Sequence, residues 1–215
     1  MNTSNVSNYD AVLNNWRQKF LAMDHEALAR RFRLAIDDEA LYITYYAHPL
    51  RIGRRSGDVR YEGKPEVTPP FNTAITIYNL FHYAVDRPAA SGKLVPFYEV
   101  KRVYPFEQAY RQTILKKLEG CFTGHVAELK QACEKLGGRP LSQGDAGYEL
   151  PVFPFFTIAV LFWDADEEFA SQANMLFDSN ITDFLHEENV VGVASDAVYY
   201  LTEAAGLVPK EIYGG

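Results

Sequence analysis

Cysteine is scarce in this 215-residue chain. Its two residues, Cys121 and Cys133, cannot build a disulfide framework or a cysteine-only metal centre, and their spacing fits no zinc pattern. A reduced setting is the simplest expectation, and with it a cytoplasmic location. Long apolar runs are missing too. The longest spans residues 150–163, contains two prolines and falls short of the roughly 20 residues that cross a bilayer, which excludes a membrane helix there. The opening stretch MNTSNVSNYDAVLNNW has no apolar core of the signal-peptide type. Positive charge is also short: the net charge is −7, and from Asp164 onward eleven Asp and Glu face a single lysine. Without a dominant basic face to hold phosphates, a nucleic-acid partner is excluded as the main role. No internal repeat, low-complexity tract or long linker interrupts the chain.

What is abundant is aromatic: 14 Tyr and 14 Phe, the tyrosines suited to half-buried positions where the hydroxyl reaches a polar partner. The length suits one globular domain over residues 1–215. After a frayed end at residues 2–7, apolar positions from Tyr9 to Leu21 recur at three- and four-residue steps and predict an amphipathic helix. Asp24 is the expected N-cap of a second helix that ends among Arg30, Arg31 and Arg33, where cations suit the helix dipole. Ala40–Ala47 is rich in β-branched and aromatic residues; with the pieces at residues 34–36, 48–52 and 59–61 it predicts an antiparallel meander. Residues 71–85 predict a core helix. An extended piece at Leu94–Val100 leads to helices over about Pro105–Glu119 and His125–Leu136. Tyr148–Val152 and Phe155–Phe162 form a long hairpin, and Glu187–Ala205 a closing helix that ends at Gly206 and Pro209. The expected class is therefore α+β, with a mainly antiparallel sheet, N-terminal helices over 8–33 and a C-terminal helix over 187–206 flanking the core.

The densest chemistry lies where the apolar run stops. Asp164, Asp166, Glu167 and Glu168 follow one another within five residues. In strand geometry an Asp-x-Asp pair points to one side, so Asp164, Asp166 and Glu168 are candidate ligands for a divalent cation. The bland reading is an exposed acidic turn. An EF-hand is excluded, since Phe169 and Met175 stand where the loop needs Gly and Glu. Ser91-Gly92-Lys93 is a weak anion-loop candidate without the phosphate-loop frame, against a plain connecting loop. Arg51, Arg54, Arg55 and Arg60 form a basic hairpin, read either as a docking face for an acidic surface or as solvated edge charges. His82, on the core helix, is read first as a core residue and second as a ligand contact.

The segments ALARRFRLAIDDEALYITYY, SGKLVPFYEV, the glycines at 137–138, Gly144-Asp145 and PVFPFFTIAVLFWDADEEFASQANMLFDSNITDFL together resemble an uncharacterised family of anaerobic bacteria and archaea, the domain of unknown function 3786 family. The resemblance covers most of residues 25–190. It is most specific at Trp163, Glu167, Glu168, Phe169, Leu176, Phe177 and Asp178, and it departs at Leu94, where Trp is expected. It implies one soluble domain and a link to anaerobic one-carbon or redox metabolism through an iron–sulfur or corrinoid partner. The leading expectation is thus a cytoplasmic ligand-binding or accessory protein. Its pocket is expected at the end of the 155–163 strand, lined by Trp163, Glu167, Glu168 and Asp178 with His82 and Lys93. Two alternatives stand beside it: a divalent-metal-dependent hydrolase or phosphoryl-transfer enzyme built on Asp164–Glu168, and a protein–protein interaction module.

Overall fold

The computed structural model describes residues 3–207, with side chains from Asn8 onward. Two antiparallel sheets packed with helices bear out the α+β class. Helix α1 (Thr3–Leu21) begins earlier than the frayed end predicted, because no Gly or Pro interrupts residues 3–7. Helix α2 (His25–Phe32) starts as expected: Asp24 accepts a hydrogen bond from the Ala27 N–H at 2.9 Å.

The meander β1 (Ala35–Ile36), β2 (Ala40–Tyr45), β3 (His48–Gly53) and β4 (Val59–Tyr61) pairs in that order. Its main hairpin lacks the usual Asn-Gly or Asp-Gly signal. The strand expected to run to Ala47 instead reverses at Tyr46 and Ala47, whose φ angles are 44° and 62°. A non-glycine residue at positive φ costs of order 1 kcal/mol, so something must hold the turn. Tyr46 does. It is fully buried, its N–H donates to the Val152 carbonyl at 3.0 Å, and its hydroxyl donates to the Val193 carbonyl at 2.9 Å.

The Tyr46–Val152 bond also ties the meander to a second sheet. This sheet holds β5 (Leu94–Pro96), β6 (Arg139–Pro140), β7 (Ala146–Phe153), β8 (Phe156–Trp163) and β9 (Gln172–Asp178), in the order β5-β9-β8-β7-β6. The β7–β8 hairpin is the one expected. Strand β9 lies beyond the acidic loop, where the sequence predicts no strand. It is an interior strand, with Met175 and Phe177 buried at alternate positions.

Helix α3 (Phe71–Tyr83) packs against α1 and α7. The helix predicted at 105–119 is composite: α4 (Glu107–Ala109), a π-helical turn (Tyr110–Leu115) and α5 (Lys116–Phe122). Helix α6 (Val126–Lys135) is followed by Gly137 at φ 76°, and α7 (Glu187–Ala204) by Gly206 at φ 70°. Pro209 lies outside the described residues.

Helices α3 and α7 pack antiparallel through the core, and their contact is polar. Thr73, Thr76 and Asn79 repeat every third residue on α3 and are buried. Asn79 Oδ1 accepts the His186 N–H at 3.1 Å, Thr76 Oγ1 accepts from Asn189 Nδ2 at 3.3 Å, and Thr73 Oγ1 donates to Asp196 at 3.4 Å. At the far end Tyr45 donates to Asp196 at 2.8 Å, Thr73 meets the Tyr200 hydroxyl at 2.9 Å, and Tyr61 meets Tyr200 at 3.3 Å.

Burial holds these phenols in the protonated form. It raises Tyr45, Tyr46 and Tyr200 well above the usual tyrosine range, with Asp196 adding to the shift, and it pushes Tyr61 and Tyr78 up to about 12. A folded pKa above the unfolded value of about 10 gives stability that is complete below pH 10 and lost as pH rises toward 12. Tyrosinate absorbance should therefore rise in two steps. The tyrosines that burial raises ionise only in the later step, together with loss of near-ultraviolet dichroism. A single smooth titration with the fold intact would contradict this.

Candidate functional site

The structure disperses the pocket expected at the end of β8. Trp163 lines a cleft of about 300 Å³ with Tyr98, Arg111 and Gln172. Glu167 and Glu168 lie in the exposed loop beyond and do not line it. Asp178 sits at the other end of β9: Gln172 pairs with Trp163, and six residues at about 3.3 Å each put Asp178 some 20 Å along the strand. His82 is exposed on α3, its ring 5.5 Å from Trp16, and burial with the nearby Lys19 lowers its pKa.

The acidic corner is a backbone device. Asp164 Oδ1 accepts the N–H groups of Gly124 and Ala165, both at 2.9 Å. Asp166 Oδ1 accepts those of Glu168 and Phe169, which hold its carboxyl below the usual carboxylate range. Among the described residues no group of three His, Cys, Asp or Glu is placed to hold a metal, so Asp164, Asp166 and Glu168 are not assembled as ligands. The alternating-strand geometry that suggested a cation site fails because the strand ends at Trp163 and the carboxylates turn back onto the loop.

Asp178 has the same kind of role at the Ser91-Gly92-Lys93 loop. Buried, it accepts from Ser91 N at 3.0 Å, Ser91 Oγ at 3.0 Å, Gly92 N at 2.9 Å and Asn180 N at 2.8 Å. The loop therefore wraps a carboxylate of its own chain, and the Lys93 side chain is exposed. Asp178→Ala should cost about 3 kcal/mol in urea unfolding, since it orphans several donors, and should open the loop to trypsin at Arg87 and Lys93. Unchanged stability and cleavage would remove this anchor role.

Three of the four arginines of the basic hairpin find partners within the chain, Arg54 with Glu26 at 2.6 Å, Arg51 with Glu39 at 3.6 Å and Arg60 with Thr68, while Arg55 is exposed. These partners are N-terminal, not the acidic C-terminal third. The cysteines are free, and burial pushes the Cys133 thiol up to about 12, which leaves it a packing residue. Among the described residues no helix is long and apolar enough to cross a membrane.

A larger cleft, unforeseen from the sequence, lies at the upper end of the α3–α7 ladder. It measures about 600 Å³ and is walled by Trp16 of α1, Phe71 and Tyr83 of α3, Phe106 beside the π-helical turn, and the first turns of α7. Asn79, Asn189 and Ser195, all less than a tenth exposed, bring polar atoms to its floor, with His186 and Glu188 at its edge. Gly192 makes room for this arrangement: a Cβ there would meet Asn189 Nδ2 at 2.5 Å. Asn189 Oδ1 is buried without a hydrogen-bond partner, while the same amide donates its one long bond to Thr76. The π-helical turn contributes Ala109 and Ile114 to the wall, and such turns recur at functional sites.

The signal for this site was present in the sequence. Polar residues at positions 73, 76 and 79 of an apolar helix, mirrored by polar positions at 189, 195 and 196, are hard to explain as a solvated face.

A family model described as a domain of unknown function (DUF3786) matches residues 24–200. No curated protein and no solved structure matches the chain.

Proposed function

We propose, from the premise that this chain belongs to the DUF3786 family, that it is a small-molecule-binding protein whose ligand sits in the cleft between α1, α3 and α7. The observation that carries this reading is the cleft itself, four aromatic rings over a floor of buried amide and hydroxyl groups at a volume typical of ligand sites. The residues favour a neutral ligand with a planar body. Glu187 and Glu188 in the first turn of α7 oppose the attraction of a helix N-terminus for anions. Asn79 and Asn189 offer amide groups to an amide-like or heteroaromatic edge. Turning the Asn189 amide toward the cleft trades one long hydrogen bond for a partnered acceptor. A cytoplasmic, accessory role in anaerobic one-carbon or redox metabolism is part of the same proposal, as the setting in which the ligand is to be sought.

The test is a saturation-transfer NMR and thermal-shift screen of nicotinamide, benzamide, adenine and uracil against the wild type and Ser195→Leu. The substitution fills the floor without touching a hydrogen bond of the ladder. At least one compound is expected to bind saturably, raise the melting temperature and perturb Trp16 fluorescence, and to lose all three effects in Ser195→Leu. Binding that survives the filled floor, or no binding by any member of the set, would remove the cleft as the ligand site.

A further inference from the structure

A second cleft, of about 420 Å³, opens between the end of α2 and the segment after α3, and its walls are arginine. Arg30, Arg31 and Arg33 come from the end of α2, and Arg87 from the other segment. Arg31 is fixed: its Nε donates to the Val85 carbonyl at 2.9 Å, and its guanidinium also bonds the Ala84 carbonyl. Arg30, Arg33 and Arg87 are exposed and have neither ion-pair nor hydrogen-bond partner among the described residues. Several arginines elsewhere are matched, as in Arg17–Asp58 at 2.8 Å, Arg54–Glu26 at 2.6 Å and Arg139–Glu149 at 2.9 Å, and Arg55 and Arg102, unmatched among the described residues, line none of the clefts above. One carboxylate, Asp86, also lines the cleft; it stands 4.0 Å from the already anchored Arg31 with its side chain fully in solvent, so it offsets one of the four guanidinium charges at most.

Helix-dipole compensation accounts for cations on α2 but not for Arg87, which a separate segment brings to the same cleft. Nor does it account for Arg33, a non-glycine residue at φ 54° where glycine would be less strained. The floor of the cleft is aromatic: Phe155 lies 5.7 Å from Phe32 and stacks on Phe184 at 5.4 Å.

We propose that this cleft binds a phosphate-bearing small molecule with an aromatic or apolar body. Guanidinium forks fit the oxygens of a tetrahedral phosphate in paired hydrogen bonds, three unmatched cations suit a dianion, and the Phe155 face receives the body. The site is separate from the α1–α3–α7 cleft and stands or falls without it.

Isothermal titration of the full chain at low salt tests it, with phenyl phosphate, inorganic phosphate and benzyl alcohol as probes. Phenyl phosphate is expected to bind at one site, more tightly than inorganic phosphate, while benzyl alcohol does not bind. The double variant Arg30→Gln/Arg87→Gln, at exposed positions without partners in the fold, should weaken binding about 30-fold or more, and Arg139→Gln should leave it unchanged. Equal affinity for inorganic phosphate would remove the aromatic floor from the proposal. Binding that the double variant retains, or none at all, would overturn it. So would capture of the chain by anionic lipid vesicles without any binding of phenyl phosphate, which would make the patch a membrane contact instead.

Discussion

Asp196→Ala is expected to cost about 4 kcal/mol of folding stability, a large share of what a domain of this size has. Asp196 is fully buried on α7 and accepts from the Tyr45 hydroxyl at 2.8 Å and from Thr73 at 3.4 Å. Removing the carboxyl leaves the Tyr45 hydroxyl, itself fully buried, without that acceptor, and opens a void among packed rings. The effect spreads because the same group of residues joins three elements. Tyr45 belongs to the meander, Thr73 to α3 and Tyr200 to α7, with Tyr61 closing the chain of hydroxyls toward the surface. Asp196→Asn keeps an oxygen for Tyr45 and should cost about half as much. Urea unfolding of both variants, and of Asp196→Ala combined with Tyr45→Phe, checks the account. The double variant should cost less than the sum of its parts, because Tyr45→Phe removes the donor that Asp196→Ala strands. Additive losses, or a cost below 1 kcal/mol for Asp196→Ala, would show that the network does not hold the fold.

The parts of this protein that could be read from its sequence are those whose signals are local. The periodicity of 9–21, the Asp24 cap, the glycines after α6 and α7, and the β-branched run of β2 each act within a few residues, and each marks an element of the type found there, though α1 starts earlier and β2 ends sooner than those signals put them. The misreadings occur where distant contacts decide. The turn at Tyr46 and Ala47 has no turn chemistry of its own; Val152 and Val193 impose it. Strand β9 pairs on one side with β8, across the acidic loop, and on the other with β5, far back in the sequence, and its alternation of Met175 and Phe177 is too short to mark a strand locally. That acidic loop shows why carboxylate density alone is a poor guide to a site. Asp164, Asp166 and Asp178 are engaged by backbone amides, the usual use of aspartate in turns, whereas the polar residues at the larger cleft are amides and hydroxyls spread over two helices. No single stretch contains that cleft. It exists only once the three-residue spacing on α3 meets the matching positions of α7.

Asn189→Leu separates function from stability most sharply, because the two should move in opposite directions. Truncating or replacing a buried polar residue that is satisfied destabilises a protein; replacing one whose acceptor is orphaned relieves a standing cost. Asn189 Oδ1 has no partner, and its Nδ2 makes a single bond of 3.3 Å to Thr76, whose hydroxyl can turn to a carbonyl of its own helix. A leucine of similar length, packed against the apolar residues that also line the cleft, should therefore raise stability by about 1 kcal/mol. The same change removes the amide that the proposed ligand meets. Any compound that stabilises the wild type through the cleft should lose its thermal shift altogether in Asn189→Leu, and Asn189→Gln should keep part of it. Such a trade of stability against binding is expected where a polar group is held in a core for a ligand rather than for the fold. A variant that is less stable than the wild type, with ligand shifts intact, would mean that Asn189 serves the α3–α7 contact alone.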